Sequence, residues 1–189
     1  MDERVDAVAE AFAATPRRGF LPRLARRRAS YDGPIQIGHG QTNSQPRTVA
    51  DMLTLLEVRP GDRVLDVGAG SGWATALLAH LTGPTGTVVG VELVPELVAF
   101  GHANLARMQR PWARIEAADP DSLGWPADAP YDRILVSAQA DALPGQLVDQ
   151  LAADGRMVLP VAGTMLLVRD SPDGPMVSEH GAYRFVPLL

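Results

Sequence analysis

Residues 64–72 read Val-Leu-Asp-Val-Gly-Ala-Gly-Ser-Gly, a short apolar run that opens directly into a glycine-rich turn, with good helix formers behind it at 72–82. A run this short and apolar fits a strand buried on both faces. Glycines at 68, 70 and 72 let the turn after it approach a neighbour or a ligand closely. Downstream the same alternation recurs. Apolar runs at 87–93, 113–118, 133–138 and 156–161 are separated by helix-like runs at 95–108 and 144–153 and by a loop after 118. Strand and helix in alternation build a parallel sheet with helices on both faces, so the expected fold is α/β, a doubly wound, mostly parallel sheet. Beyond 161 the pattern changes. Runs at 165–169 and 184–189 are β-like, and between them lies Ser171-Pro-Asp-Gly-Pro and no helix. These two runs are expected to pair antiparallel at a sheet edge.

Upstream, residues 4–14 are rich in helix formers, and Thr15-Pro16, Gly19 and Pro22 break the pattern. Residues 31–46 (YDGPIQIGHGQTNSQP) are polar and turn-rich, a loop long enough to be read as functional. From 47 to 57, Val49, Met52, Leu53 and Leu56 fall at helical spacing, and Pro60-Gly61 stops the helix. The organisation expected is one domain over 1–189. It comprises N-terminal helices and a site loop at 1–60, an α/β core at 61–161, and C-terminal strands at 162–189.

A chain of 189 residues, 46% hydrophobic and 21% charged, has the profile of one soluble globular domain. No stretch approaches the roughly 20 apolar residues of a membrane helix, and the N-terminus opens with alternating charges where a signal sequence would be apolar. A cytoplasmic monomer without a membrane partner is the expectation. The absence of cysteine excludes disulfides, thiolate metal sites and cysteine nucleophiles. A net charge of −5 argues against nucleic-acid binding, although six of the 17 basic residues, all of them arginine, fall between Arg17 and Arg28. That cluster reads as a solvated face, or as a surface that attracts acidic polypeptide. Trp73, Trp112 and Trp125 read as core or rim packing. The four histidines, with His39 in the loop, His80 and His102 in helical runs and His180 in a terminal loop, lack paired ligand spacing, so no metal is assigned.

The glycine turn departs from the dinucleotide fingerprint, which needs glycine at position 73 where this chain has Trp73, and Asp66 sits in the strand just ahead. Both features disfavour NAD. An acid beside the turn, with Gly68 and Gly70 giving close backbone approach, suits a ligand bearing an ammonium group and no pyrophosphate. The methionine portion of S-adenosylmethionine answers that description. Glu92 closes the second strand about twenty residues past Gly72, where an acid can accept hydrogen bonds from ribose hydroxyls. Asp119 closes the third, within reach of an adenine amino group in the same crevice.

Residues 37–46, Ile-Gly-His-Gly-Gln-Thr-Asn-Ser-Gln-Pro, resemble a run that precedes the cofactor domain in the protein-L-isoaspartate O-methyltransferase family. The resemblance continues in order through Val49-Ala-Asp-Met52, Gly68 to Gly72, Pro130-Tyr-Asp-Arg-Ile134, Pro144 with Gln150-Leu151, Gly155-Arg156 to Pro160, and Arg184-Phe-Val-Pro187. It implies a Rossmann-like methyltransferase fold and protein repair, by methylation of the free α-carboxylate of an L-isoaspartyl residue in a polypeptide partner, with S-adenosylmethionine as cofactor. It also places Ser44 at the family's active-site serine and extends the cofactor contacts to Gln41, Thr42, Asn43, Asp66, Glu92 and Asp119. Such a reaction needs no strong base. A carboxyl with a reference pKa of about 3.3–3.9 is already ionised at neutral pH, so it must be positioned, not deprotonated. Ser44 would orient it, and 31–46 would fold over the cofactor as a lid.

The chain departs from the family's pattern in three ways. Pro120 follows Asp119 where glycine is usual, which removes an N–H and is expected to alter the adenine contact. Asn43 stands where an apolar residue is usual and is expected to set a polar group beside the reacting centre. Both ends are short by the family's standard. Two other readings therefore stay open. One is a methyltransferase paralogue acting on a dedicated peptide or small-molecule carboxylate, and the other is a cofactor-binding module without turnover.

Overall fold

A computed structural model of the chain describes residues 3–188. Its elements run α1 (Glu3–Ala14), 3-10 turns at Arg17–Phe20 and Ala25–Arg28, β1 (Ile35–Gly38), β2 (Gln41–Asn43), α2 (Pro46–Leu56), β3 (Arg63–Val67), α3 (Trp73–Thr82) and β4 (Thr87–Glu92). They continue with α4 (Pro95–Ala106), β5 (Ala113–Ala117), β6 (Tyr131–Val136), α5 (Gly145–Val148), β7 (Leu151–Val161), β8 (Thr164–Arg169) and β9 (Met176–Ala182). Seven strands form one sheet in the order β5-β4-β3-β6-β7-β8-β9, parallel from β5 to β7 and antiparallel from β7 to β9. This is the expected Rossmann-like sheet with its antiparallel edge. The chain moves outward one way through β4 and β5 and then crosses to β6. The crevice of this open sheet therefore lies beyond the carboxyl ends of its central strands.

Successive strand residues point to opposite faces, and the core divides accordingly. Val64, Val88, Leu135 and Val158 pack on one face with Val49, Met52 and Leu53 of α2 and Ala76 to Ala79 of α3. Leu65, Val89, Ile134, Val136 and Met157 pack on the other with Leu147 of α5 and, partly buried, Leu123 and Trp125. On this second face the short α5 and the segment between β5 and β6 share the cover. Gly101 explains how closely α4 approaches the glycine turn. A Cβ there would stand 2.9 Å from the Gly70 carbonyl oxygen and 2.9 Å from Ile115 Cδ1.

Four expectations are corrected. Helix at 144–153 is only the single turn of α5, because the Gln150 carbonyl already accepts from Tyr131 N (2.8 Å) at the start of β7. The β7 strand then bulges, since Arg133 pairs with Arg156 while Tyr131 pairs with Leu151. The strand that covers β8 is 176–182, not 184–189. It is exposed along nearly its whole length, so it lacks the apolar alternation that marks a half-buried strand. Residues 184–188 instead run back to the crevice, where Gln139 N donates to Val186 O and Leu188 N to Gln139 O, both at 2.7 Å. Finally, 31–46 is not irregular throughout. It contains the antiparallel β1–β2 hairpin, turned at Gly38-His39-Gly40 with φ of 107°, 54° and 73°. His180, expected in a loop, lies on β9 beside Ser178 (2.8 Å).

Candidate active site

A cleft partly open to solvent lies across the carboxyl ends of β3, β4 and β6. It gathers Gln41, Thr42, Asn43 and Ser44 from the hairpin, Gly68 and Gly70 from the turn after β3, Glu92 from β4, and Asp119 and Pro120 beyond β5. Eight of the nine site residues expected from sequence therefore share one cavity. Asp66 is the exception. It is fully buried behind the glycine turn, where its Oδ2 accepts from Thr75 Oγ1 (2.6 Å) and its Oδ1 has no partner. Burial, against the Thr75 hydrogen bond, pushes its carboxyl up to about 6.

Glu92 is held by the backbone around it. Its Oε2 accepts from Gly70 N (2.8 Å) and its Oε1 from Val94 N (3.0 Å), which fixes the carboxylate at the cleft wall with further lone pairs toward the cavity. Gly70 has φ of 53°, and a Cβ there would approach Ile37 Cδ1 of the hairpin to 3.3 Å, so the turn and the lid pack against each other. Asp119 is at the exposed rim, its Oδ1 accepting from Asp121 N (2.9 Å).

The hairpin's position depends on a residue that sequence reading placed on a solvated face. Arg17 is 6% exposed. Its Nε donates to Asn43 Oδ1 (2.6 Å), Nη1 to Tyr31 O (2.8 Å), and Nη2 to Gly33 O (2.8 Å), Asn43 O (2.9 Å) and Ser44 O (2.8 Å). Its guanidinium lies 5.4 Å from the ring centroid of Trp73, which also meets Phe12 edge-on and donates from Nε1 to Thr15 O (3.0 Å). Burial pushes the Arg17 guanidinium down to about 10, so it remains a cation at neutral pH. Asn43 completes the tie, donating from Nδ2 to Ser71 Oγ (3.0 Å) in the glycine turn. The Asn43 side chain thus acts as a brace at the cleft wall, held between Arg17 and Ser71. A second clamp closes the hairpin base. Asp32 Oδ1 accepts from Arg47 N (3.2 Å) in the first turn of α2, and its carboxylate pairs with the Arg47 side chain at 3.4 Å.

Sequence reading missed Ser71, Ser137, Val94, Leu123 and the returning segment Val186 to Leu188, all of which line the cleft. Ser71 carried a signal, since it stands between two glycines of the turn. The returning segment carried none separable from a strand. Among the described residues no arginine or histidine lines the cleft, and its charged groups are Glu92 and Asp119. That donor set fits S-adenosylmethionine. An acidic wall receives a ligand carrying an ammonium and a sulfonium, carboxylates meet ribose and adenine donors, and apolar Val67, Val91 and Leu123 offer surface to the rings. Among the described residues no three His, Cys, Asp or Glu side chains gather into a group that could hold a metal ion.

The protein-family model "Protein-L-isoaspartate(D-aspartate) O-methyltransferase (PCMT)" matches residues 3–189. A protein-L-isoaspartate O-methyltransferase of Methanopyrus kandleri is 43% identical over 192 residues, covering 98% of this chain and 84% of the relative. One of Aeropyrum pernix is 44% identical over 193 residues, covering 92% and 74%. Among solved structures, a Plasmodium falciparum protein described as a protein-L-isoaspartate O-methyltransferase, in complex with S-adenosyl-L-homocysteine, superposes with a TM-score of 0.86 at 27% identity. The match covers 97% of this chain and 90% of that one.

Proposed function

We propose, from the premise that this chain belongs to the protein-L-isoaspartate(D-aspartate) O-methyltransferase family, that it methylates the free α-carboxylate of L-isoaspartyl residues in proteins or peptides as a step of protein repair. S-adenosylmethionine is the cofactor, and it supplies a methyl group activated by its sulfonium. The observation that carries the reading is the meeting, across one cleft, of the Ser44 loop with the acidic end formed by Glu92 and Asp119.

Each residue then has a part that its surroundings support. Glu92, oriented by the Gly70 and Val94 amides, takes the ribose hydroxyls. Gly68 and Gly70 bring the turn close to the methionine portion, and Asp66 supports that turn from behind. Asp119 serves the adenine through its carboxylate, since Pro120 has no N–H to offer. Gln41, Thr42 and Asn43 close the lid side. Ser44 has its carbonyl fixed by Arg17 while its hydroxyl has no protein partner among the described residues, and it orients the substrate carboxylate. The proposal keeps 1–189 as one catalytic unit. It also places the protein in the cytoplasm as a monomer, without nucleic-acid or membrane partners. A net charge of −5 supports the absence of a nucleic-acid partner, and among the described residues no helix is long and apolar enough to cross a membrane.

The test is methyl transfer from labelled S-adenosylmethionine to an isoaspartyl peptide beside its normal-aspartyl twin, with Ser44→Ala in parallel. The isoaspartyl peptide alone should be labelled. The variant should lose about ten- to a hundred-fold in rate at unchanged cofactor affinity, as expected of a lost positioning contact. Labelling of neither peptide by a protein that binds the cofactor would refute the reading.

A further inference from the structure

We propose that the arginine-rich turns between α1 and β1 are a docking surface for acidic polypeptide segments, which they bring to the mouth of the cleft. The proposal rests on the methyl-transfer reading above and specifies the substrates it favours. Residues 11–31 contain six of the chain's 17 arginines and no aspartate or glutamate, in a chain whose net charge is −5. Arg17 turns inward, as described. Arg18, Arg23, Arg27 and Arg28 are exposed, and Arg26 is half-buried with its Nε on the Leu21 carbonyl (3.2 Å). None of these five has a carboxylate within ion-pair distance among the described residues. Asp32, the next acid along the chain, is paired with Arg47.

Two apolar groups sit among these charges. Leu24 is 94% exposed, and the Tyr31 ring, half-exposed, lies under the Arg28 guanidinium at 5.2 Å. Unpaired arginines with an aromatic ring and an aliphatic side chain are the composition of a peptide-binding surface, more than of an ordinary solvated face.

Position connects this surface to the chemistry. Arg18 adjoins Arg17, whose Nη2 bonds the Ser44 carbonyl, and the 25–28 turn packs against β1 of the lid. Among the described residues the cleft has no basic side chain, and Glu92 and Asp119 repel an incoming anion. A substrate that reacts through a carboxylate must overcome that repulsion. Charge at 18–28 lies on the lid's own support, where it attracts an anionic segment of substrate that the acids of the cleft repel. An acidic run flanking the isoaspartyl residue would engage this surface while the damaged residue enters beneath Ser44.

Two fluorescent isoaspartyl peptides of one length, flanked by three glutamates or by three glutamines, make the test. Binding is read by anisotropy on the full chain with S-adenosylhomocysteine present, and methyl transfer is read separately. At low salt the glutamate peptide should bind about ten-fold more tightly. The advantage should shrink to about two-fold at roughly 0.3 M salt and in the Arg18→Gln, Arg23→Gln, Arg27→Gln triple variant. Affinity for the glutamine peptide should not change, which also certifies that the variant is folded. Equal affinity for the two peptides in the native chain, or an advantage that survives the triple variant, overturns the proposal. Tight, salt-sensitive binding without transfer to either peptide would refute the repair reading and leave this one standing. Equal binding with efficient transfer would do the reverse.

Discussion

Replacing Arg17 with methionine should loosen the lid far more than the rest of the molecule. Five acceptors lose their donor. Three of those bonds are buried, to Gly33 O, Asn43 O and Asn43 Oδ1, and two are partly buried, to Tyr31 O and Ser44 O, where water can substitute. A buried acceptor left without a donor costs about 1–3 kcal/mol, which puts the gross loss from three at about 3–9 kcal/mol. Against that, methionine fills the apolar space beneath Trp73 and spares the protein the desolvation of a cation that Asp32 offsets only from beyond ion-pair distance, worth several kcal/mol. A net loss of about 2–4 kcal/mol remains, all of it on acceptors between residues 31 and 44. Backbone hydrogen exchange should therefore speed by about 30- to 1000-fold across β1 and β2 while β3, β4 and β6 keep their protection. Methyl transfer should fall at least as far as the fraction of closed lid, with a smaller loss of cofactor affinity. Arg17→Lys should lie between the two, because one ammonium with three donors cannot span five acceptors. A folded Arg17→Met protein whose hairpin exchanges at the native rate would refute the assignment of Arg17 as the lid's anchor.

Three further outcomes follow from the same geometry. Glu92→Gln sets an amide N–H against one of the two backbone donors that now meet a carboxylate, and cofactor affinity by calorimetry should fall about ten- to a hundred-fold; a change under two-fold would remove Glu92 from the binding set. Asp66 has its carboxyl raised from 3.8 to about 6, so its contribution to stability is fully present below pH 3.8 and is lost as pH rises through 6, a loss of up to about 3 kcal/mol. Asp66→Asn removes that loss, so urea unfolding should find the variant near native stability at pH 4 and more stable than native at pH 7.5; an equal difference at both values would sink the account. Gly101→Ala gains about 1 kcal/mol of helix propensity but places a methyl 2.9 Å from the Gly70 carbonyl, and thermal unfolding should show a net destabilisation of about 1–3 kcal/mol with weaker cofactor binding.

What the sequence made legible was whatever its periodicity or its turn chemistry enforces. The strands β3, β4 and β6 are short runs buried on both faces, and their positions follow from apolarity alone. Glu92 follows from standing at a strand end, and Asp119 from lying two residues past one. What stayed hidden was set by tertiary contact. A polar strand at a sheet edge, 176–182, looks like a loop because solvent takes both its faces. The run 184–188 looks like a strand because it is apolar, but Phe185, Val186 and Leu188 are only half-buried, against the crevice and the core, not in a ladder. Arg17 was indistinguishable from Arg18, since nothing local says which of two adjacent arginines will find four carbonyls and an amide folded around it.

The placement of positive charge follows from the reaction. The nucleophile is an anion whose charge disappears as the methyl group is taken up, so a cation bonded to it would stabilise the ground state more than the transition state and slow the chemistry. A cleft lined, among the described residues, by no arginine or histidine avoids that penalty. The fold still needs a strong multiple donor to hold a hairpin of exposed carbonyls over the cavity, and only guanidinium offers five donors in one rigid plane. Arg17 meets both requirements from behind the lid. Among the described residues all its hydrogen bonds go to the backbone and to Asn43, so its charge is committed to the structure of the lid and is kept off the Ser44 hydroxyl that the proposed function assigns to the carboxylate.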